Sequence, residues 1–257
     1  MGFIKYNKSI KKIYTALGSA FINILKIFVK SDDRLILFSS FGGKKFDDSP
    51  RAIYELMKND PRFRNNRLIW CFNSPEKYDI PDQFKIKADT LLYFIKTLQA
   101  RVWITNSAME RGLHYTGKNT FYFNTWHGTP IKKMGSDQSN LPSDSSKTYK
   151  WKIGCMTAQS DYEAGIFSRV FNIPRERFML CGLPRNDILA NYTPELRANI
   201  REILNLPAGK KVILYMPTFR EYDRNNSMQC VLVPPIDLTK WERKLGSNYI
   251  FLFRAHY

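Results

Sequence analysis

At 257 residues the chain is long enough for one large or two modest domains, and 44% hydrophobic with 14% aromatic residues excludes a wholly disordered protein. Forty Lys+Arg against 23 Asp+Glu leave a formal charge of +17, which requires an anionic partner: nucleic acid, an acidic lipid surface or a phosphate-bearing substrate. Cys71, Cys155, Cys181 and Cys230 form no CxxC pair and only three histidines are present, so zinc-finger spacing is absent and the cysteines read as reduced, buried thiols.

The first thirty residues carry Lys5, Lys8, Lys11, Lys12, Lys26 and Lys30 and no acidic residue. Apolar side chains recur at Ile10, Ile13, Tyr14, Leu17, Phe21, Ile24, Leu25 and Phe28, the three-and-four spacing of one helical face. Asn23 and Lys26 interrupt the ~20 apolar residues that a spanning helix needs. No small-residue cleavage site follows, as a signal peptide requires. The segment reads as a basic amphipathic helix lying in the membrane interface, with a helix packed on the protein's own body as the competing reading.

From Arg34 the pattern is α/β. Leu35–Phe38 predicts a buried strand, Gly42-Gly43 a turn, and Pro50 the start of a helix with Ala52, Ile53, Leu56 and Met57 on one face. Strands are expected at Leu68–Phe72, Val102–Ile104, Phe121–Phe123 and Cys155–Thr157, and helices at Leu91–Leu98 and Asp161–Phe171. Ser136–Ser146 reads as a polar loop, and Pro174 and Pro184 bracket a connection. A second α/β pattern begins near Lys211, with strands over Val212–Tyr215 and Tyr249–Phe253. Such alternation predicts parallel sheets covered on both faces.

Thr125-Trp126-His127-Gly128-Thr129-Pro130 carries the strongest chemical signal. His127 follows a strand directly, and ligands of open parallel sheets bind beyond the strands' carboxyl ends. Gly128 permits close backbone approach, Pro130 stiffens the exit, and Lys132 and Lys133 add positive charge. An imidazole there is suited to accept a hydroxyl proton at neutral pH, although a lone histidine is more often structural. Gly42-Gly43-Lys44-Lys45 either cradles an anion or is a plain turn; it lacks the spacing of a Walker phosphate loop. Asp137 reads as a loop residue, and Asp187 either caps a short helix or lines a cleft.

The segment Trp126-His127-Gly128-Thr129-Pro130-Ile131-Lys132-Lys133-Met134-Gly135 resembles a signature of the CDP-glycerol glycerophosphotransferases, the teichoic acid primases and polymerases. Four more pieces match in order: Ser40-Phe41-Gly42-Gly43-Lys44 with Ser49-Pro50-Arg51, Gly182-Leu183-Pro184-Arg185-Asn186-Asp187, Leu214–Glu221, and Arg254-Ala255-His256-Tyr257. The resemblance spans residues 34–257. It implies a GT-B-like fold of two Rossmann-like domains. The expected division is a membrane-associating helix over 1–32, an acceptor domain over 33–175 and a CDP-glycerol domain over 176–257.

The resemblance further implies that an acceptor hydroxyl attacks the glycerol-bearing phosphate and CMP leaves, with His127 as the base. Gly42, Gly43, Lys132, Arg185, Asn186, Thr218, Arg220 and His256 are the implied substrate contacts, Arg220 and His256 near the donor pyrophosphate. The acceptor is lipid-linked, of undecaprenyl type, and the site of action is the cytoplasmic face of the cell membrane, reached peripherally through an anionic surface. No metal or cofactor is expected. The family's later serine-rich loop has no counterpart before Tyr257, so the second domain reads as truncated and the chain's own activity as compromised. A GT-B sugar transferase is the alternative within the enzymes, because fold does not determine the donor. A basic nucleic-acid-binding protein is the alternative outside them, but no helix-turn-helix, zinc or RNP-type signature supports it and nucleic acid is not an expected partner.

Overall fold

The computed structural model describes residues 8–137, 152–216 and 236–254. Thr218, Arg220, His256, Cys230 and nearly all of the expected loop over 136–146 lie outside these residues; its first residues form a short turn, Gly135–Asp137. The chain divides into two compact units, 1–190 and 191–257.

In the first unit, helix α1 (Lys8–Phe28) leads into β1 (Asp32–Ser39), followed by α2 (Asp48–Asn59), β2 (Arg67–Phe72), β3 (Lys85–Lys87), α3 (Leu91–Gln99) and β4 (Ala100–Thr105). Then come β5 (Phe121–Asn124), β6 (Cys155–Ala158), α4 (Asp161–Phe171), β7 (Phe178–Leu180) and the single turn α5 (Asp187–Ala190). The strands form one seven-stranded sheet in the order β3-β2-β1-β4-β5-β6-β7, and every pairing is parallel.

Alternation along the strands sorts the apolar residues into two cores. Leu35, Leu37, Ile69, Cys71, Trp103 and Met156 face one side, where Tyr93 and Leu98 of α3 and Phe167 and Val170 of α4 cover them. Ile36, Phe38, Leu68, Trp70, Phe72 and Ile104 face the other, against Tyr54 and Met57 of α2. The predicted face of α2 is therefore rotated: Tyr54 and Met57 point inward, while Leu56 is 68% exposed.

Helix α1 has a docked face and an open one. Ile22 is buried, and Tyr14, Leu25 and Val29 pack against the same core. Polar ties to the segment after β4 hold it there: His114 N–H donates to Ser19 Oγ (2.8 Å), Asn23 Nδ2 to the His114 carbonyl (3.0 Å) and Lys118 Nζ to the Ile27 carbonyl (3.1 Å). Ile10 of the apolar stripe is half-buried, and Ile13, Leu17, Phe21, Ile24 and Phe28 are exposed. Among the described residues no helix is long and apolar enough to cross a membrane.

The connection expected between Pro174 and Pro184 contains strand β7, which pairs with β6 through Phe178, Met179 and Leu180. This pairing carries the first unit to Ala190, past the expected boundary at residue 175. The second unit contains α6 (Pro194–Ile203), β8 (Lys211–Tyr215), α7 (Leu238–Leu245) and β9 (Tyr249–Phe253). Its two strands pair in parallel from Lys211↔Tyr249 to Tyr215↔Phe253, and Trp241 of α7 packs edge-on against Phe251.

Candidate functional site

The sheet order reverses between β1 and β4, the place where an open parallel sheet leaves a crevice beyond its strand ends. Three loops meet there: Ser40–Gly43 after β1, Asn106–Ser107 after β4, and Thr125–Thr129 after β5.

The first loop turns back tightly. Gly43 N–H donates to the Ser40 carbonyl (3.0 Å), and Asn73 N–H donates to the Gly43 carbonyl (2.8 Å). Two consecutive side chains from beyond β4 hold its next amides: Asn106 Oδ1 accepts from Phe41 N–H (2.8 Å) and Ser107 Oγ from Gly42 N–H (2.9 Å). Arg111 clamps it from the other direction. Its guanidinium donates to the Gly42 carbonyl (2.5 Å), to Asn73 Oδ1 (3.1 Å) and, through two nitrogens, to the Asp89 carboxylate (2.7 and 2.5 Å). The Asp89 hydrogen bonds outweigh burial and raise the Arg111 pKa, so the clamp stays charged.

The loop after β5 carries His127. Trp126 adopts a left-handed backbone (φ 49°), an uncommon and costly conformation for a bulky residue. Its ring stacks on the imidazole (centroids 4.2 Å apart, 25° between planes) and is anchored on Phe171 and Phe167 of α4. Phe41 lies beyond the imidazole at 5.8 Å. His127 Nδ1 is 2.7 Å from the Asn106 carbonyl oxygen. A carbonyl only accepts, so this hydrogen bond assigns the proton to Nδ1 and leaves the Nε2 lone pair open in the neutral ring. The space beside Gly128 is open, since a Cβ there would meet nothing within 4 Å.

Arg185 closes the constellation. Its Nη1 donates to Asp48 Oδ2 (2.6 Å) and to the His127 carbonyl (2.9 Å). Gly42, Gly43, His127 and Arg185 are thus brought together. Lys132 lies exposed in the chain just beyond, and Asn186 is exposed in the single turn Pro184–Asn186. Asp137 pairs with Arg169 at 2.6 Å, which holds its carboxyl below the usual range and takes it up structurally.

The sequence reading did not single out Asn106, Asp48 or Arg111. For Asn106 a signal existed: polar Asn106-Ser107 follows directly on a buried apolar strand, as expected at a sheet's ligand-facing edge. For the other two, no local pattern marks the pairing.

The family model described as CDP-Glycerol:Poly(glycerophosphate) glycerophosphotransferase matches residues 21–257. The teichoic acid poly(glycerol phosphate) polymerase of Staphylococcus epidermidis is 35% identical over 236 residues, 87% of this chain and 32% of its own length. Among solved structures, the wall teichoic acid polymerase TagF superposes with a TM-score of 0.80 at 30% identity, over 96% of this chain and 64% of that one. A histidine-to-asparagine TagF variant soaked with CDPG gives 0.77 at 30% identity, over 96% and 62%. The chain therefore spans between about a third and just under two thirds of these relatives' lengths.

Proposed function

The chain belongs to the CDP-glycerol:poly(glycerophosphate) glycerophosphotransferase family, and from that membership we propose that it transfers glycerol phosphate from CDP-glycerol to a hydroxyl of a lipid-linked acceptor. The acceptor oxygen attacks the glycerol-bearing phosphorus, a new P–O bond forms, and the bond to CMP breaks. His127 removes the hydroxyl proton through Nε2. Lys132 and Arg185 supply positive charge beside the phosphate, with Gly42 and Gly43 shaping the floor and Asn186 at the rim. Thr218, Arg220 and His256 are assigned to the donor on the strength of the family motifs alone.

The observation that carries this reading is the imidazole itself. It lies in the loop after β5, beside the β1/β4 switch point, with Nδ1 on the Asn106 carbonyl, and a neutral ring held that way carries its lone pair on Nε2. The exposed apolar stripe of α1 and the +17 charge support action at an anionic membrane surface, as a peripheral protein on the cytoplasmic side.

The test is CMP release from CDP-glycerol with and without a lipid-linked acceptor. His127→Ala should lower acceptor-dependent turnover by about 10²–10⁴-fold, the usual range for a general base. His127→Gln should not restore it, because an amide does not take up the proton. A His127→Ala protein of intact fold that retains most of its turnover would overturn the assignment.

A further inference from the structure

We propose that Asn106 is a positioning residue of this site: an uncharged amide that ties the Phe41–Gly43 turn to His127 while keeping negative charge away from the imidazole. The inference rests on His127 as the base and adds the residue that positions it.

Asn106 is the first residue beyond β4 and is fully buried. It makes both connections itself, its side chain to Phe41 N–H and its carbonyl to His127 Nδ1. The first contact determines the orientation of the amide, because an N–H is met only by the oxygen. The amide nitrogen is left over. Asn106 Nδ2 is buried and has no hydrogen-bond partner among the described residues. An unmet buried donor costs stability.

Aspartate would accept the same Phe41 N–H and leave no orphan donor. On hydrogen bonding alone it is the better residue. What aspartate brings is a negative charge on the very residue whose backbone carbonyl holds the imidazole. A nearby opposite charge favours the protonated ring and removes the base. The orphan amide is the cost of keeping the position neutral.

The neighbouring charges agree. The Asp48 carboxylate is paired with Arg185, which sits on the His127 carbonyl. Asp89 is paired with Arg111, which sits on the Gly42 carbonyl. Lys45 lies over the Phe41 ring. Glu110 accepts from the Tyr122 hydroxyl, and Glu163 from Gln159 N–H, whose side chain reaches Thr129. Lys132 and Lys133 follow in the loop. Glu110 and Glu163 are met by neutral donors, and an aspartate at position 106 would add a carboxylate whose one donor in this arrangement is the Phe41 N–H.

The test of Asn106 is spectroscopic, and turnover enters only to separate it from the role of His127. Imidazole signals are followed by NMR against pH in the wild-type chain, Asn106→Asp and Asn106→Ala, with His127→Asn identifying the His127 signal. Asn106→Asp should raise the His127 titration midpoint by about 1 unit relative to wild type, with the Phe41 amide still protected from exchange. Asn106→Ala should leave the midpoint in place and speed Phe41 amide exchange about tenfold, the loss expected for one hydrogen bond. An unchanged midpoint in a folded Asn106→Asp protein, or a fully protected Phe41 amide in Asn106→Ala, would overturn the proposal. If Asn106→Asp does not fold, the Asn106→Ala exchange rate decides the tie to Phe41, and a His127 midpoint that moves in the equally neutral Asn106→Ala overturns the charge argument. A raised NMR midpoint without a matching shift in the acid limb of turnover would leave Asn106 in its role and remove His127 as the base.

Discussion

Arg185 and Asp48 form an ion pair at 2.6 Å across 137 residues of sequence, and the same Arg185 nitrogen reaches the His127 carbonyl. The Asp48 side chain is 5% exposed and that of Arg185 34%. Removing the arginine strands a buried carboxylate, a change that costs about 3–5 kcal/mol in a fully buried pair. Solvent at the arginine lowers this, and Arg185→Ala is expected to lose about 2 kcal/mol. Asp48→Asn, which leaves the more exposed partner of the pair as the unpaired charge, should lose less. Urea unfolding measures both, and an Arg185→Ala curve that overlays wild type would show the pair to be incidental.

The two glycines of the first loop should differ in their tolerance. A Cβ on Gly43 (φ 84°) would lie 3.1 Å from both the Asn73 nitrogen and Oδ1, and 3.2 Å from the Cys71 carbonyl. Two of these neighbours are backbone. On Gly42 (φ 63°) it would meet only Arg111 Nη1 at 3.3 Å, the end of a side chain. The left-handed backbone alone costs about 1–2 kcal/mol for alanine. Gly42→Ala should lose about that much and Gly43→Ala measurably more, read as melting temperatures; the reverse order contradicts the geometry.

Helix α1 predicts a separation between membrane binding and folding. Phe21 and Ile24 are 56% and 59% exposed, whereas Ile22 between them is 2% exposed. Phe21→Asp with Ile24→Asp should abolish co-sedimentation with anionic vesicles and leave the melting temperature near wild type. Ile22→Asp should lower the melting temperature sharply, because it buries a charge. Binding to anionic vesicles should weaken with salt. Equal vesicle binding by the double variant would exclude the stripe as the contact.

Cys71 predicts an alkaline limit. Burial pushes its thiol well above the ordinary 9.0, against the opposing pull of the Arg111 charge. The folded chain holds this proton more tightly than the unfolded chain. Its contribution is therefore complete below pH 9.0 and is lost as pH rises beyond it. Burial raises the Tyr93 and Tyr115 hydroxyls in the same sense. The urea midpoint should hold up to about pH 9 and fall as pH rises from there. In the native state a thiol reagent should label exposed Cys181 well before Cys71. Equal labelling rates would show that the core opens around Cys71.

The sequence alone determined most of the elements and the place of His127 in the loop after β5. Buried parallel strands require unbroken apolar runs, so Leu35–Phe38 and Leu68–Phe72 were legible, and the helix over Asp161–Phe171 agrees to the residue. His127 was legible because it directly follows such a run, and the ordered motifs placed the chain in its family. Tertiary structure alone decided what touches what. Strand β7 has three residues, two of them half-exposed, and is defined by its pairing with β6 rather than by any pattern of its own. Which part of the α1 stripe faces inward depends on the segment from Gly112 to Lys118 to which it is tied. Asn106 reaches His127 because the strand order sets the ends of β4 and β5 side by side, and Arg185, from beyond β7, joins Asp48 to the His127 carbonyl across the chain. Local periodicity records which faces of an element avoid water. It does not record the order in which those elements lie in the sheet, and that order is what assembles the site.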